Sequence, residues 1–225
     1  IDDARAELSE QLAAIRVGNP REQAVRMGPL ATKQQLLDVQ AGLQRLMTSA
    51  RAVAGDGSRG APIAVPEGKG FFMTPALLLA DDAERADAVH EHEVFGPVAT
   101  LLPYDDAAQA IRVVRRGEGG LVASVYSDDK DFAGEMLMGI APFHGRVNLA
   151  SEKVAEHSVG PGTVLPSLVH GGPGRAGGGE ELGAHRGMDL YLQRTAVQGD
   201  EPVLARLLAP GRAATPAPAG DKSPA

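Results

Sequence analysis

The residues best suited to chemistry form the segment Glu-Val-Phe-Gly-Pro at positions 93–97, which follows an acidic helical stretch and leads into an apolar strand pattern. A carboxylate held before a Gly-Pro corner can accept hydrogen bonds from both hydroxyls of a ribose. An aromatic ring beside it can pack against the face of a nicotinamide. Glu93 and Phe95 are therefore candidate cofactor-binding residues, although the spacing alone favours a tight turn that carries a surface glutamate.

Residues 90–93, His-Glu-His-Glu, form a candidate metal site, because imidazole and carboxylate groups are ligands of zinc and iron. In an extended segment, alternation would place both histidines on one side and both glutamates on the other. No third histidine lies nearby at a spacing familiar from metal sites. We therefore expect no metal ion to be bound here.

The segment Gly-Pro-Gly-Arg-Ala-Gly at 172–177 has the spacing of the glycine-rich loop that holds phosphates in dinucleotide-binding folds. Its context does not fit that function. No clear strand precedes it, Pro173 lacks an N–H donor, and no acidic residue follows about 20 residues later at a strand end. We interpret the segment as a tight packing turn ahead of a helix.

These candidate residues must be positioned by alternating helices and strands. Apolar residues recur at helical spacing in the segments 2–16, 32–53, 105–114, 130–138 and 180–193, with Thr32 as a predicted N-cap. Short apolar or alternating runs predict strands at 71–79, where Thr74-Pro75 splits the run, and at 98–102, 121–126, 146–149 and 194–198. Such alternation is typical of βαβ units, so we predict an α/β fold with an open, mostly parallel sheet and helices on both faces.

The composition narrows the classes of function. A formal net charge of -7 argues against a nucleic-acid-binding protein, since such proteins cluster basic residues against phosphates. The first residues have neither a positive region nor an apolar run, so the sequence predicts no secretion signal and no membrane span. The absence of cysteine excludes a thiol nucleophile within these residues. Because the chain starts without methionine and within a helical pattern, we expect it to be part of a longer protein.

The motif at 93–97 resembles the cofactor motif of the aldehyde dehydrogenase superfamily. Other segments match the family in the same chain order, at 18–20 and 27–30 before this motif and at 120–125, 145–148 and 171–183 after it. The resemblance implies that Glu93 holds the nicotinamide ribose of NADP or NAD and that Phe95 lies beside the nicotinamide. With this resemblance, the surface-turn interpretation of Glu93 is no longer favoured.

Two late segments, 165–183 and 192–199, are similar to one branch of this superfamily. That branch oxidises CoA-thioester semialdehydes in the aerobic breakdown of benzoate or phenylacetate. The resemblance implies a CoA-linked semialdehyde as substrate and a cytoplasmic enzyme, with NADP more common than NAD. Members of the phenylacetate type often continue into a hydratase domain, whereas this chain ends in a Pro/Ala tail, which favours the stand-alone benzoate type.

The family resemblance also implies a substrate entrance. In the family, the residues after the asparagine of the last core strand line the path of the aldehyde. The matching positions here are Asn148, Leu149, Ala150, Val169 and His170. The connection between Asn148 and His170 is long, and we hypothesise that it shapes a mouth for a bulky CoA thioester. A loop that only covers a sheet edge remains the alternative.

Neither the cysteine nucleophile nor the glutamate base that the resemblance implies is present in this chain, so we expect both upstream and expect these residues alone to be inactive. The predicted organisation is an incomplete catalytic domain at 1–186, a helix end and oligomerisation strand at 187–200, and a tail at 201–225 that is largely disordered from 209. The strand would join protomers into a homodimer or larger homo-oligomer. The alternative is a non-catalytic α/β module, derived from the same fold, that serves interaction or assembly.

Overall fold

The computed structural model describes residues 1–157, 160, 162–163, 170–171, 174–179, 185, 188, 199–202 and 205. Its helices are α1 (Asp2–Ala14), α2 (Lys33–Leu46), α3 (Asp87–Glu91), α4 (Ala107–Arg116) and α5 (Lys130–Ile140). Its strands are β1 (Arg51–Ala54), β2 (Ala76–Leu79), β3 (Val98–Leu101), β4 (Gly120–Tyr126), β5 (His144–Ala150), β6 (His170–Gly171) and β7 (Gly178–Gly179). Short 3-10 turns lie at Ala141–Phe143, Glu152–Val154 and Gly174–Ala176.

Parallel strand pairs form the framework. β2 pairs in parallel with β3, and β4 pairs in parallel with β5 over its whole length. The α/β class with parallel strands is therefore confirmed. Within the described residues the strands lie in three small sheets, β1-β2-β3, β4-β5 and β6-β7, rather than in one open sheet. β1 and the β6-β7 pair add antiparallel pairings.

The helix predicted at 32–53 is shorter than expected. It ends at Leu46, and Arg51–Ala54 form β1 instead. β1 pairs antiparallel with β2, a strand whose four residues are all buried. Hydrogen bonding to this buried neighbour overrides the local helical pattern of the segment.

The first core cluster joins α2 to β2. The inward face of α2 contributes Val39, Leu43 and Leu46, which pack with Leu78 and Met73. Thr32 is the N-cap of this helix, as predicted, because its hydroxyl accepts a hydrogen bond from the backbone N–H of Gln35 at 3.0 Å. Packing and capping together fix α2 beside the sheet.

The second core cluster lies between α4, α5 and the β4-β5 pair. Its buried members are Ala110, Val125, Met136 and Ile140. The two helices approach closely at Gly139, where an added Cβ would lie 2.4 Å from Cδ1 of Ile111. A glycine is required at this crossing because the isoleucine occupies the space of a side chain.

The predicted helix at 180–193 lies almost entirely outside the described residues, and the strand at 194–198 and the tail from 209 lie wholly outside them. The boundaries of the predicted domains remain predictions. In the described part of the chain, no helix is both long and apolar enough to cross a membrane.

Candidate functional site

The segment 93–97 connects α3 to β3. The helix ends at Glu91, and the backbone of the following residue, His92, is already extended. The carbonyl of Pro97 accepts a hydrogen bond from the backbone N–H of Ala76 at 2.9 Å, which joins the corner to the start of β2. The corner is therefore held at the edge where two parallel strands begin.

One face of α2 provides the seat for this segment. An added Cβ on Gly96 would lie 2.5 Å from Cγ1 of Val39, and an added Cβ on Gly42 would lie 2.8 Å from Cγ2 of Val94. Both approaches are too close for a side chain. The two glycines therefore allow the helix and the segment to pack backbone against side chain.

In the segment 93–97 the side chains of Glu93 and Phe95 are exposed, while hydrogen bonds and packing hold the backbone. Nε2 of Gln35 donates a hydrogen bond to the carbonyl oxygen of Phe95 at 3.0 Å. Phe95 as a whole residue is 72% exposed, and Glu93, two positions earlier, is also exposed. A fixed backbone that presents an accessible carboxylate and an accessible ring has the form of a binding motif.

Two grooves meet at these side chains. One, of about 900 Å³, runs between the motif and α2, and the other, of about 630 Å³, runs between the motif and the start of β4. His92, Glu93 and Phe95 line both grooves. The structure thus brings together the two predicted cofactor-binding residues at a position where a ligand could contact both.

The histidines of the candidate metal site point to different environments. Residues 87–91 form α3, so the extended geometry assumed for 90–93 is wrong for His90, whose backbone N–H donates to Ala86 at 3.3 Å as in a helix. The His90 ring is buried and lies 2.7 Å from the carbonyl oxygen of Ala83. His92 is half-buried in the grooves. Among the residues that the structure describes, no three His, Cys, Asp or Glu side chains are grouped to hold a metal ion.

The predicted entrance residues Asn148, Leu149 and Ala150 form the carboxyl end of β5. Leu149 is 46% exposed, whereas Ala150 is buried and its carbonyl accepts a hydrogen bond from Ser127 at 2.9 Å. Asn148 is half-buried opposite Ser124 in the β4-β5 ladder. Leu149 is therefore the most accessible of the three.

His170 lies toward the other end of the same strand. It belongs to β6, and its Cδ2 is 3.0 Å from the place that a Cβ on Gly145 would occupy. Gly145 and Ala150 are separated by roughly 16 Å along a strand of this kind. The structure therefore does not bring His170 next to Ala150, and Val169 lies outside the described residues.

The glycine-rich segment packs at the amino ends of β4 and β5. An added Cβ on Gly145 would lie 2.3 Å from the carbonyl oxygen of Ala176, and one on Gly177 would lie 2.5 Å from Leu121. The Arg175 guanidinium donates to the carbonyl of Gly117 at 3.2 Å. These contacts are those of a packing turn, as the sequence suggested, while residues 172 and 173 lie outside the described part.

The contribution of α2 to this site was not predicted from the sequence. Gln35, Val39 and Gly42 occupy positions i, i+4 and i+7, which lie on one face of a helix. That spacing was visible in the sequence. It did not indicate a site, because nothing in the sequence alone pairs a helix face with a segment some 60 residues later.

Comparison with known proteins supplies an independent finding. The sequence model of the aldehyde dehydrogenase family matches residues 1–197. A 3,4-dehydroadipyl-CoA semialdehyde dehydrogenase from Aromatoleum evansii is 43% identical over 166 residues, covering 74% of this chain and 32% of the relative. Protein MaoC from Klebsiella aerogenes is 41% identical over 181 residues, covering 80% of this chain and 52% of the relative.

The fold has a counterpart among solved structures. A variant of aldehyde dehydrogenase C from Pseudomonas syringae, in complex with NAD+ and octanal, matches 78% of this chain and 33% of its own. The TM-score is 0.61 and the sequence identity 26%. The chain spans about a third to a half of the length of the relatives it matches, since the covered shares are 32% and 52% of the curated relatives.

Proposed function

Because the chain belongs to the aldehyde dehydrogenase family, we propose that it forms part of an enzyme that oxidises a CoA-thioester semialdehyde to the acid with NADP+ or NAD+. The observation that carries the proposal is the display of Glu93 and Phe95 on a fixed backbone between two grooves. The chain covers only 32% of the length of the semialdehyde dehydrogenase it resembles, so the activity is proposed for the whole protein.

The residues fit the nicotinamide half of such a cofactor. The exposed Glu93 carboxylate can accept hydrogen bonds from both ribose hydroxyls, and the exposed Phe95 ring can lie against the nicotinamide face. Bound NAD(P)+ would supply the hydride acceptor of the oxidation. The complex of aldehyde dehydrogenase C with NAD+ supports a nicotinamide cofactor in a protein of this fold.

The nucleophile must come from outside these residues. Family resemblance implies covalent catalysis by a cysteine thiolate, followed by hydrolysis assisted by a glutamate base. The chain contains no cysteine. Its own contribution is to hold the cofactor and to line part of the path of the substrate.

The proposed substrate class follows from the similarity to the 3,4-dehydroadipyl-CoA semialdehyde dehydrogenase. The exposed Leu149 and the half-buried Asn148 would line the entrance at the carboxyl end of β5, whereas His170 lies toward the other end of that strand. The guanidinium of Arg146 donates to the carbonyl of Thr163 at 2.9 Å, so part of the long connection lies beside β5. We place the enzyme in benzoate or phenylacetate catabolism, as a cytoplasmic homo-oligomer joined through the strand at 194–198.

A comparison of substrates in the full-length protein tests this function. The semialdehyde of an acyl-CoA is compared with the same semialdehyde as a free acid, and reduced cofactor is measured with NADP+ and with NAD+. We expect kcat/KM to be at least about tenfold higher for the CoA thioester, a difference of about 1.4 kcal/mol. Equal values would contradict the proposed substrate class, and no activity on any aldehyde would favour a non-catalytic module.

A further inference from the structure

We propose that Gln35 is a positioning residue that holds the backbone of Phe95 against the first turn of α2 and so sets where the Phe95 ring meets the cofactor. The proposal rests on the proposed function, because it takes Phe95 as a cofactor contact. It concerns a residue that would act through Phe95 rather than on the reacting atoms.

Both ends of the Gln35 amide have a partner. Its Oε1 accepts a hydrogen bond from the backbone N–H of Ala31 at 2.9 Å, and its Nε2 donates to the carbonyl of Phe95 at 3.0 Å. A backbone N–H can only donate and a carbonyl can only accept, so these partners fix the orientation of the amide. The side chain thus bridges the entry to α2 and the motif.

The bridge matters because the Phe95 ring has little else to position it. Phe95 is 72% exposed, so packing against the protein covers a small part of its surface. The neighbours Val94 and Gly96 are seated on Gly42 and Val39 by apolar contacts. Between these two contacts, the Gly96 N–H donates to the Val94 carbonyl at 2.8 Å and closes a turn around Phe95, and the hydrogen bond from Gln35 ties that turn to α2.

Helix α4 contains a natural control. Gln109 occupies the same position relative to its N-cap, Asp106, as Gln35 does to Thr32. The backbone N–H of Gln109 donates to the Asp106 side chain at 2.7 Å, and Gln109 Oε1 accepts from the N–H of Asp105 at 2.7 Å. Capping accounts for this acceptor bond in both helices. It does not account for the donation from Gln35 to Phe95.

The substitution Gln35→Glu separates the two roles. A glutamate keeps the oxygen that accepts from Ala31, and its charge suits a helix N-terminus, so the cap is retained. It loses the donor and turns a carboxylate oxygen toward the Phe95 carbonyl. In the full-length protein we expect the KM for NAD(P)+ to rise about tenfold with a much smaller change in kcat and no loss of Tm.

The matched variant Gln109→Glu makes the same change at the other helix cap and should leave the cofactor KM unchanged. Gln35→Met supplies a second route to the same measurement. It removes both hydrogen bonds without adding charge, so it should lower Tm and raise the cofactor KM by a similar factor. An unchanged KM in both Gln35 variants would overturn the proposal, as would an equal rise in Gln109→Glu.

A double-mutant cycle tests whether Gln35 acts through Phe95. In a Phe95→Ala background, Gln35→Glu should raise the cofactor KM no further, and fully additive effects would overturn the proposal. The cycle also separates the two levels of inference. If Phe95→Ala alone left the KM unchanged, the cofactor role of Phe95 would fail. If it raised the KM while Gln35→Glu did not, only the positioning role would fail.

Discussion

Glu93 and Phe95 lie two positions apart, both are exposed, and both line the grooves on either side of the motif. Their residue types made them candidates for cofactor binding, because the chemistry of a carboxylate and a ring before a Gly-Pro corner is local. The spacing alone favoured a surface turn, and the family resemblance was needed to predict a cofactor site. The burial of His90 could not be predicted in this way. The buried His90 ring is paired with the carbonyl oxygen of Ala83, seven residues earlier, and this pairing exists only in the folded chain.

Replacement of the glutamate tests the ribose contact. Glu93→Gln keeps the shape of the side chain but removes the charge and one acceptor, so we expect the KM for NAD(P)+ to rise about tenfold, or about 1.4 kcal/mol. Steady-state kinetics on the full-length protein would measure it. Glu67→Gln, an exposed glutamate distant in sequence from the motif, serves as the control. A similar rise in that variant would mean that the loss of charge, not the contact, is responsible.

The close contact between Gly96 and Val39 predicts that a side chain added at position 96 would lower stability. Gly96→Ala would place a Cβ 2.5 Å from Val39, and we expect it to lower the free energy of unfolding by about 1–3 kcal/mol. Urea denaturation would measure the change. Gly134→Ala in α5 is the matched control, since a Cβ there meets open space and should stabilise the helix by about 0.5–1 kcal/mol. Val39→Ala should relieve part of the Gly96→Ala defect, and simple additivity would argue against a clash.

At the scale of elements, most helices and strands were predictable because their hydrophobic periods are local. Within α2, Val39, Leu43 and Leu46 are buried, whereas Leu37 is 47% exposed. β1 was missed because four residues acquire a strand conformation only from pairing with β2. The seat that α2 offers to the motif was missed for a similar reason, since it depends on a contact between distant parts of the chain.

The connection between β1 and β2 contains an aspartate, Asp56, whose titration should make the stability of the fold depend on pH. The Asp56 carboxylate accepts hydrogen bonds from the backbone N–H of Ser58 at 2.9 Å and from the Thr74 hydroxyl at 3.0 Å. The pKa of Asp56 is lowered below 3.8, first by the backbone N–H of Ser58, then by the hydroxyls of Ser58 and Thr74. A lowered pKa in the folded state stabilises the fold above the ordinary pKa, and this contribution is lost as the pH falls through the folded value.

We therefore expect Asp56→Asn to be less stable than the unsubstituted protein at neutral pH, with a difference that shrinks as the pH falls below 3.8. Urea denaturation at a series of pH values would measure the difference. A gap that stays constant with pH would show that the carboxylate contributes through geometry and not through its charge.

At the scale of the whole molecule, the chain carries one part of the proposed active site. It presents the proposed cofactor residues Glu93 and Phe95 and the end of β5, and it contains no cysteine. We expect the 225-residue chain to form no reduced cofactor from any aldehyde, whereas the full-length protein does. The assay follows reduced cofactor with equal molar amounts of each. Turnover by the chain alone would contradict a cysteine mechanism.

The proposed oligomerisation strand yields a separate prediction. Removal of residues 194–225 from the full-length protein should lower its oligomeric state, because it would remove the strand that we predict at 194–198 and propose to pair between protomers. Removal of 209–225 alone should leave it unchanged. Light scattering after size-exclusion chromatography would measure the mass, and equal masses for the two truncations would exclude a role for the strand at 194–198.

The connection from Ala150 to His170 begins and ends beside the same strand, β5. The chain leaves β5 at Ala150, and His170 lies again beside Gly145. Because both anchors lie on β5, we expect insertions or deletions between them to leave the β4-β5 ladder in place. Doubling the length of a flexible loop generally costs only about 0.6 kcal/mol of closure entropy. Among related proteins we therefore expect the length of this connection to vary with little loss of stability. Such variation would let the substrate range change, and it makes the connection a suitable place to exchange whole loops by protein engineering.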